Sequence, residues 1–347
     1  MKRIILFLVA AVLVVAGFLA WKIAGPGTAF EEKNHYLYIH TGSDFEAVYD
    51  SLRTGNVISS PWLFGQVANR FDYPKKVKAG RYNIKKNMSL LEIVRMLRNG
   101  QQEPVKLVVI KFRTKEDIAS VVGRKFECDS LSFISFLNNP DSLKKYNLDT
   151  NTVMTTVFPD TYTYFWNTTP GRIFTKFRTR YQSFWTEERK KQAAAHGLNP
   201  QTAYILASIV EEESNKKEDK SKIASVYLNR LSKGMKLGAD PTVKFAMRNF
   251  GLKRIYEKYT LVASPYNTYQ NYGLPPGPIC TPSAETVEAV LEAPDTKYLY
   301  FVAKPDLSGY SNFAETYTEH LKYAREYQQF LDKLMQQKSG ASDNLAH

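Results

Sequence analysis

Residues 204–231 read YILASIVEEESNKKEDKSKIASVYLNRL. A run of large apolar side chains ends abruptly in three carboxylates, Glu211, Glu212 and Glu213. A helix reading puts residues three and four apart on one face. Glu211 then lies beside Ala207 and Ser208, and Glu212 beside Ser208 and Ile209. Glu213 lies beside Ile209 and Val210, and alone has large aliphatic neighbours at both positions. Burial against such groups raises a carboxyl pKa, because the charged form loses its hydration. The helix opens at Asn199, a cap residue followed by Pro200, and is predicted to stop at Ser214. Asn215 and Glu218 offer a capping box for the next helix. A carboxylate in a last turn faces the negative end of the helix dipole. Both effects push Glu213 toward its protonated form near neutral pH, which a general acid needs. Solvated surface glutamates remain the plain alternative.

The following helix places Ile223, Val226, Tyr227 and Leu231 on one stripe, with Arg230 inside it. Either the arginine stem snorkels over the core edge, or its head faces the same cleft as Glu213. Further on, LGADPTVKFAM (237–247) puts Asp240 before Pro241, most simply as a helix cap. SPYNTYQNYGLPPGPICTPS (264–283) combines three tyrosines, two asparagines and five prolines. Prolines stiffen such a loop, and Gly273 and Gly277 let the backbone approach closely. Rings and amides in a rigid loop suit a sugar, or simply pack on one another.

Upstream, AGRYNIKKNMSLLEIVRMLRNGQQEPVKLVVI (79–110) predicts strand, helix, strand. Ser89 and Glu92 form a capping box, Leu90, Ile93, Val94 and Leu97 an apolar stripe, and Gly100 a stop. YLYIH (36–40) alternates like a strand, and Phe45, Val48 and Leu52 stripe a helix. Residues 115–150 read as helical and polar, and 172–195 as one long basic helix. YLYFVA (298–303) reads as a buried strand, and 318–331 as a closing amphipathic helix.

The chain has 347 residues and a formal charge of +13. The length predicts two or three domains, and the basic balance suits an anionic partner. The surplus is spread along the sequence, without zinc-ligand spacing, a long Lys/Arg block or a phosphate-binding glycine motif. That pattern favours a membrane surface or cell wall and argues against nucleic acid, a metal or an organic cofactor. Cys128 and Cys280 are too few for a disulfide framework and read as buried free thiols. Lys2 and Arg3 precede eighteen uncharged residues, Ile4 to Trp21. That meets the roughly 17–25 residues needed to span a bilayer and exceeds the apolar region of a secretory signal, about 7–15 residues. Trp21 and Lys22 stand where a cleavage site would need small residues. The expectation is an uncleaved anchor with its basic end in the cytoplasm, a short hinge at AGPGTAF (24–30), and everything beyond outside the membrane. A cleaved signal is the alternative.

The motifs ASIVEEES, ASVYLNRL, DPTV, SPYNTY, GLPPGPI and YLYFV, in this order and spacing, resemble the endolytic murein (peptidoglycan) transglycosylases, the YceG-like family. The 80–100 stretch resembles the family's LysM-like subdomain, and FPDTY a segment between the two. The likeness covers residues 36–335 and the anchor. It implies an α+β protein with an anchor over 1–25, a LysM-like subdomain over 33–110 and a catalytic domain over 111–347. It implies endolytic cleavage of MurNAc–GlcNAc linkages in nascent glycan strands, giving 1,6-anhydro-MurNAc ends and terminating strand growth. Glu213 would be the catalytic acid, and Asn229, Arg230, Asp240, Thr242, Tyr266, Asn267 and Tyr269 the candidate substrate contacts. Glycan strands, peptidoglycan synthases and the inner membrane are the implied partners. Three departures stand out. Gly238 replaces the family's usual Gln, Ser311 replaces a His although His320 matches, and Met154–Thr156 replace a Glu-Gly. A noncatalytic wall-binding scaffold and a water-using muramidase are the rival readings.

Overall fold

The computed structural model describes residues 2–343. In chain order the elements are α1 (Lys2–Ala24), β1 (Asn34–Ile39), α2 (Phe45–Thr54), α3 (Pro61–Arg70), β2 (Gly80–Lys85), α4 (Leu90–Asn99) and β3 (Val105–Val109). Then come α5 (Lys115–Lys125), α6 (Ser130–Asn138), α7 (Pro140–Lys144), β4 (Asp160–Tyr164), α8 (Pro170–Phe184), α9 (Glu187–Ala195) and α10 (Pro200–Glu213). The remainder is α11 (Lys217–Ser232), α12 (Asp240–Ala246), α13 (Glu257–Thr260), α14 (Ala284–Leu291), β5 (Tyr300–Ala303), β6 (Ser311–Ala314) and α15 (Tyr317–Asp343). Helices and strands are thus mixed, with the strands paired two by two: β1 with β2, β3 with β4, β5 with β6. The chain divides into two compact units, one of residues 1–107, 121–130 and 162–170, the other of the rest.

In the first unit, α1 is long and apolar enough to cross a membrane, and none of its residues is buried. The 24–30 stretch is not a free hinge. Gly27 N–H donates to Met88 O at 3.1 Å, Ser59 N–H donates to Gly27 O at 2.8 Å, and Thr28 bridges to Ile58. β1 and β2 are antiparallel, from Asn34 opposite Lys85 to Ile39 opposite Gly80. Leu37, Ile39, Tyr82 and Ile84 alternate onto the buried face, against Phe64, Ile93 and Leu97. The capping box of Ser89 and Glu92 forms, and Gly100 closes α4 in the left-handed region at φ 71°. β2 pairs with β1 and not with β3, so residues 79–110 do not close a strand-helix-strand unit by themselves.

The core of the second unit is built on α10. Eight consecutive residues, Ala203 to Val210, are buried, so the helix is apolar on every side and must be enclosed. It packs against α11, α12 and α14. Burying Ile209 and Val210 completely contributes about 1.5–3 kcal/mol each. Asn199 caps the helix through the N–H groups of Gln201 and Thr202, and Ser214 ends it. The predicted box at Asn215 and Glu218 does not form. Lys216 is the cap residue of α11, and the Ser214 hydroxyl accepts its N–H at 3.0 Å. The long basic helix is also two helices. Phe184 and Trp185 turn into the core, and Thr186 caps α9 by accepting from Arg189 N–H. The 300–303 strand is half-buried, not buried: β5 pairs only with β6, and Tyr300 and Phe301 border a cavity. Both cysteines are free, Cys280 buried and Cys128 half-buried.

The 264–283 loop docks on α10. Ile279 N–H donates to the Ser208 hydroxyl at 3.0 Å. Gly277 is required for this fit, since a Cβ there would lie 2.2 Å from Asn151 O and 2.9 Å from the Tyr266 hydroxyl. Gly277→Ala must therefore move backbone, and a loss of about 1–3 kcal/mol is expected, read as a lowered Tm.

Candidate active site

Three adjacent glutamates on a helix point about 100° apart, and the second unit gives each a different environment. The Glu211 carboxylate accepts from Lys220 Nζ at 2.9 Å, from Ser283 Oγ at 3.2 Å and from Thr286 Oγ1. Glu212 meets Arg113 at 2.9 Å and Lys111 at 3.0 Å. Burial alone would raise the Glu212 pKa, but hydrogen bonds and charge from these two cations outweigh it and hold the carboxylate below its usual range. Glu213 forms no salt bridge among the described residues, and accepts one side-chain hydrogen bond, from Tyr227 Oη at 2.7 Å. Loss of hydration pushes Glu213 up to about 7, helped by the negative charge of Asp240 and opposed by the Tyr227 bond and by Lys244 and Arg230. None of the three is the solvated surface glutamate of the plain alternative.

Glu213 opens onto a cavity of about 420 Å³, also lined by Tyr227, Arg230, Asp240, Tyr269 and His320. The end of α10 supplies the carboxyl, α11 supplies Tyr227 and Arg230, and the start of α12 supplies Asp240. Asp240 does not cap α12; Ala239 is the cap residue and makes no side-chain bond. Its carboxylate instead accepts from Tyr269 Oη at 2.6 Å. Arg230 combines the two expected roles. Its Nε donates to Leu299 O at 2.7 Å and Nη1 to Leu237 O at 2.6 Å, while the guanidinium stacks 5.3 Å from the Tyr300 ring centre.

The remaining sequence-derived candidates support the wall without forming it. Asn229 donates to Thr296 O and Tyr298 O, at 2.8 and 2.9 Å. Thr242 is buried and donates to Ala239 O at 2.6 Å. Asn267 is buried and donates to Thr260 O and Val262 O. Tyr266 packs on Phe245 and lines a separate hollow. Sequence reasoning passed over Tyr300, Phe301 and Tyr317, which complete the cavity. Alternation along YLYFVA would put Tyr300 and Phe301 on opposite faces, so it did not signal that both reach one cavity, and nothing local marks Tyr317. His320 stacks on Tyr300 with ring centres 5.3 Å apart, and its Nδ1 is buried with no hydrogen-bond partner. Gly238 lies on the cavity wall in the left-handed conformation, φ 57°, where a Gln would be strained. Ser311 uses its N–H on Asp219 at 2.6 Å. Among the described residues no cluster of His, Cys, Asp or Glu could hold a metal ion.

Tyr227→Phe tests the electrostatics. The hydroxyl stabilises the Glu213 carboxylate, so its removal should raise the carboxyl pKa further. The alkaline limb of a pH–activity profile should move up by roughly one to two units, since a bond to a charged group contributes about 1.5–3 kcal/mol.

A carboxyl whose pKa lies near 7, in a cleft walled by tyrosine, histidine and arginine, defines an acid–base type of site. The profile of the YceG-like family matches residues 37–326, and the chain belongs to that family. It is 30% identical over 306 residues to an endolytic murein transglycosylase of Bacillus subtilis, covering 84% of each chain. It is 27% identical over 318 residues to one of Streptococcus pneumoniae, covering 80% of this chain and 56% of that protein. A crystal structure of a YceG-like protein from Listeria monocytogenes superposes with a TM-score of 0.56 at 26% identity, over 84% of this chain and 99% of that one.

Proposed function

We propose that this chain is an endolytic peptidoglycan lytic transglycosylase, a lyase cutting MurNAc–GlcNAc linkages in nascent strands. The observation that carries the reading is Glu213, held near neutrality in a sugar-sized, aromatic-walled cavity. In the protonated form Glu213 gives its proton to the glycosidic oxygen as the C1–O bond breaks. The carboxylate left behind takes the proton of the muramyl C6 hydroxyl, whose oxygen closes on C1. One carboxyl serves as acid and then base, and no water is consumed. Tyr300, Tyr317 and His320 would stack on the rings, and the unpartnered Nδ1 of His320 suits a sugar hydroxyl. Asp240 would flank the oxocarbenium-like state, with Tyr269 orienting Asp240 and Arg230 holding the wall through Leu299 O and Leu237 O. Asn229, Thr242, Asn267 and Tyr266 would act as positioning residues.

The anchor over 1–25 would hold the protein in the inner (plasma) membrane as a single pass, with the other residues on the periplasmic or extracytoplasmic side. A LysM-like subdomain over 33–110 and a catalytic domain over 111–347 would complete the organisation, although residues 121–130 and 162–170 cluster with the first unit. Peptidoglycan synthases as partners rest on the family resemblance.

Asp240 favours one second reading, because its carboxylate lines the same cavity and could activate water, as the second carboxyl of a muramidase does. Mass spectrometry of digested glycan strands separates the two. The transglycosylase leaves anhydro ends one water lighter than the reducing ends of a hydrolase. Reducing ends alone would overturn the proposal, and uncut strands would favour a binding scaffold.

A further inference from the structure

α12 runs away from Glu213 past three successive hollows. Asp240, at its start, lines the Glu213 cavity. Pro241 and Lys244 line a smaller one of about 50 Å³ with Arg113 and Glu212. Phe245, and Arg248 just beyond the helix, line a third of about 170 Å³ with Arg113, Lys115 and Tyr266. Asp240 and Lys244 are four apart and share a face. Arg113 belongs to both outer hollows.

The charge along this track turns from acidic to basic. Glu212 is taken up by Arg113 and Lys111, and Glu116 meets Arg248 at 3.4 Å in an exposed pair. Lys115 donates to Thr150 O at 3.1 Å and to Asn138 Oδ1, neither of them charged. The Lys244 side chain is half-buried and makes no hydrogen bond or ion pair among the described residues, its charge reaching Glu213 only at longer range. Such an ammonium is open to a direct anionic partner. Arg248 sits at φ 48°, a left-handed conformation that costs a residue with a side chain. This is the ordinary left-handed close of a helix: Arg248 N–H donates to Phe245 O at 2.9 Å and Asn249 N–H to Lys244 O at 3.0 Å, which leaves the guanidinium at the rim of the hollow. From Asp240 to Arg248 the track is about 12 Å long at 1.5 Å per residue, the reach of about four extended peptide residues at 3.3 Å each.

The glycan backbone is uncharged, so this track has no use for it. The anionic part of a strand is the set of carboxylates on the peptide stems, carried by the same muramyl residues. We propose that the Lys244–Arg113–Lys115–Arg248 track is a subsite for the carboxylates of a peptide stem, carried by a muramyl residue in the Glu213 cavity. This rests on the transglycosylase reading above.

The test uses the full chain and lipid-free, uncrosslinked glycan strands, either bearing stems or stripped of them by an amidase, with the lactyl carboxylates that this exposes then converted to amides. Anhydro ends are counted by mass spectrometry. Lipid-free strands carry no pyrophosphate, so a preference among them belongs to the stems. The expected kcat/KM is about tenfold higher on stem-bearing strands, the effect of one charge-assisted contact, and the difference shrinks as salt rises. Lys244→Gln and Arg248→Gln should each reduce that preference by roughly three- to tenfold through KM, with Arg248→Lys retaining most of it. Equal cleavage of both strands by the wild type, or full preference in both glutamine variants, overturns the subsite. A preference that appears only on strands ending in a lipid pyrophosphate overturns it as well. If neither strand yields anhydro ends, it is the transglycosylase reading that fails.

Discussion

Glu213→Gln is expected to lower the production of anhydro ends by about 10²–10⁴-fold, the usual contribution of a positioned acid–base group. Glutamine keeps the shape and can still accept from Tyr227 Oη, so strand binding should persist, measured by co-sedimentation with insoluble glycan. A scaffold would be indifferent to the change, and a variant that keeps turning over would remove Glu213 from the mechanism. The same substitution has a stability signature. The folded-state pKa of about 7 lies above the 4.5 of a free glutamate. Between those values the folded chain holds a proton that the unfolded chain has released, so stability falls as pH rises through that window. The stabilising effect of the proton is fully present below about 4.5 and lost above about 7. Glutamine removes this slope. The variant should therefore gain on the wild type as pH rises from 4.5 to 8, by about 3 kcal/mol at most, seen in paired thermal melts. Wild-type activity should fall in the same direction, above pH 7, as the acid loses its proton.

The raised pKa of Glu213 was legible because two local rules agree on it. Helical spacing put aliphatic residues beside Glu213, and the Ser214 break put it in a last turn. The caps at Asn199 and Ser89 were legible for the same reason, since a cap is a contract among four neighbouring residues. Most of what failed depends on distant partners, although the box at Asn215 and Glu218 failed locally, with the Ser214 hydroxyl accepting from Lys216 N–H instead. Asp240 looks like a cap beside Pro241, but Tyr269 of the 264–283 loop draws its carboxylate into the cavity instead. Asn229 and Asn267 look like sugar contacts by composition, yet both amides are committed to backbone carbonyls. A buried amide must satisfy its donors first, and nothing local reveals which carbonyls lie nearby. The pairing of β2 with β1 was likewise hidden, because periodicity shows which face of a strand is buried but not its neighbour.

Glu211→Ala should be the most destabilising single change at the three glutamates, by about 3–5 kcal/mol. Glu211 and Lys220 have side chains only 15% and 10% exposed, and they meet at 2.9 Å where α10, α11 and α14 converge. Thr286 Oγ1 accepts from Lys220 Nζ at 2.6 Å and donates to Glu211, and Ser283 donates to Glu211 as well. Removing the carboxylate leaves an ammonium ion buried with only a hydroxyl to face. Lys220→Met should cost less, because Ser283 and Thr286 still donate to the remaining carboxylate. The double variant Glu211→Gln, Lys220→Met should recover much of the loss, since neutral groups of similar volume avoid the desolvation of both charges. Chemical denaturation of the three variants gives the order directly, and equal losses in all three would show that packing, not charge, dominates the junction. The effect reaches the site through geometry. This ion pair pins the last turn of α10 to its neighbours, and that turn aims Glu213 at Tyr227 and the cavity. Activity in Glu211→Gln should therefore fall by more than the unfolded fraction accounts for, because a carboxyl misplaced by about 1 Å loses roughly a hundredfold in rate.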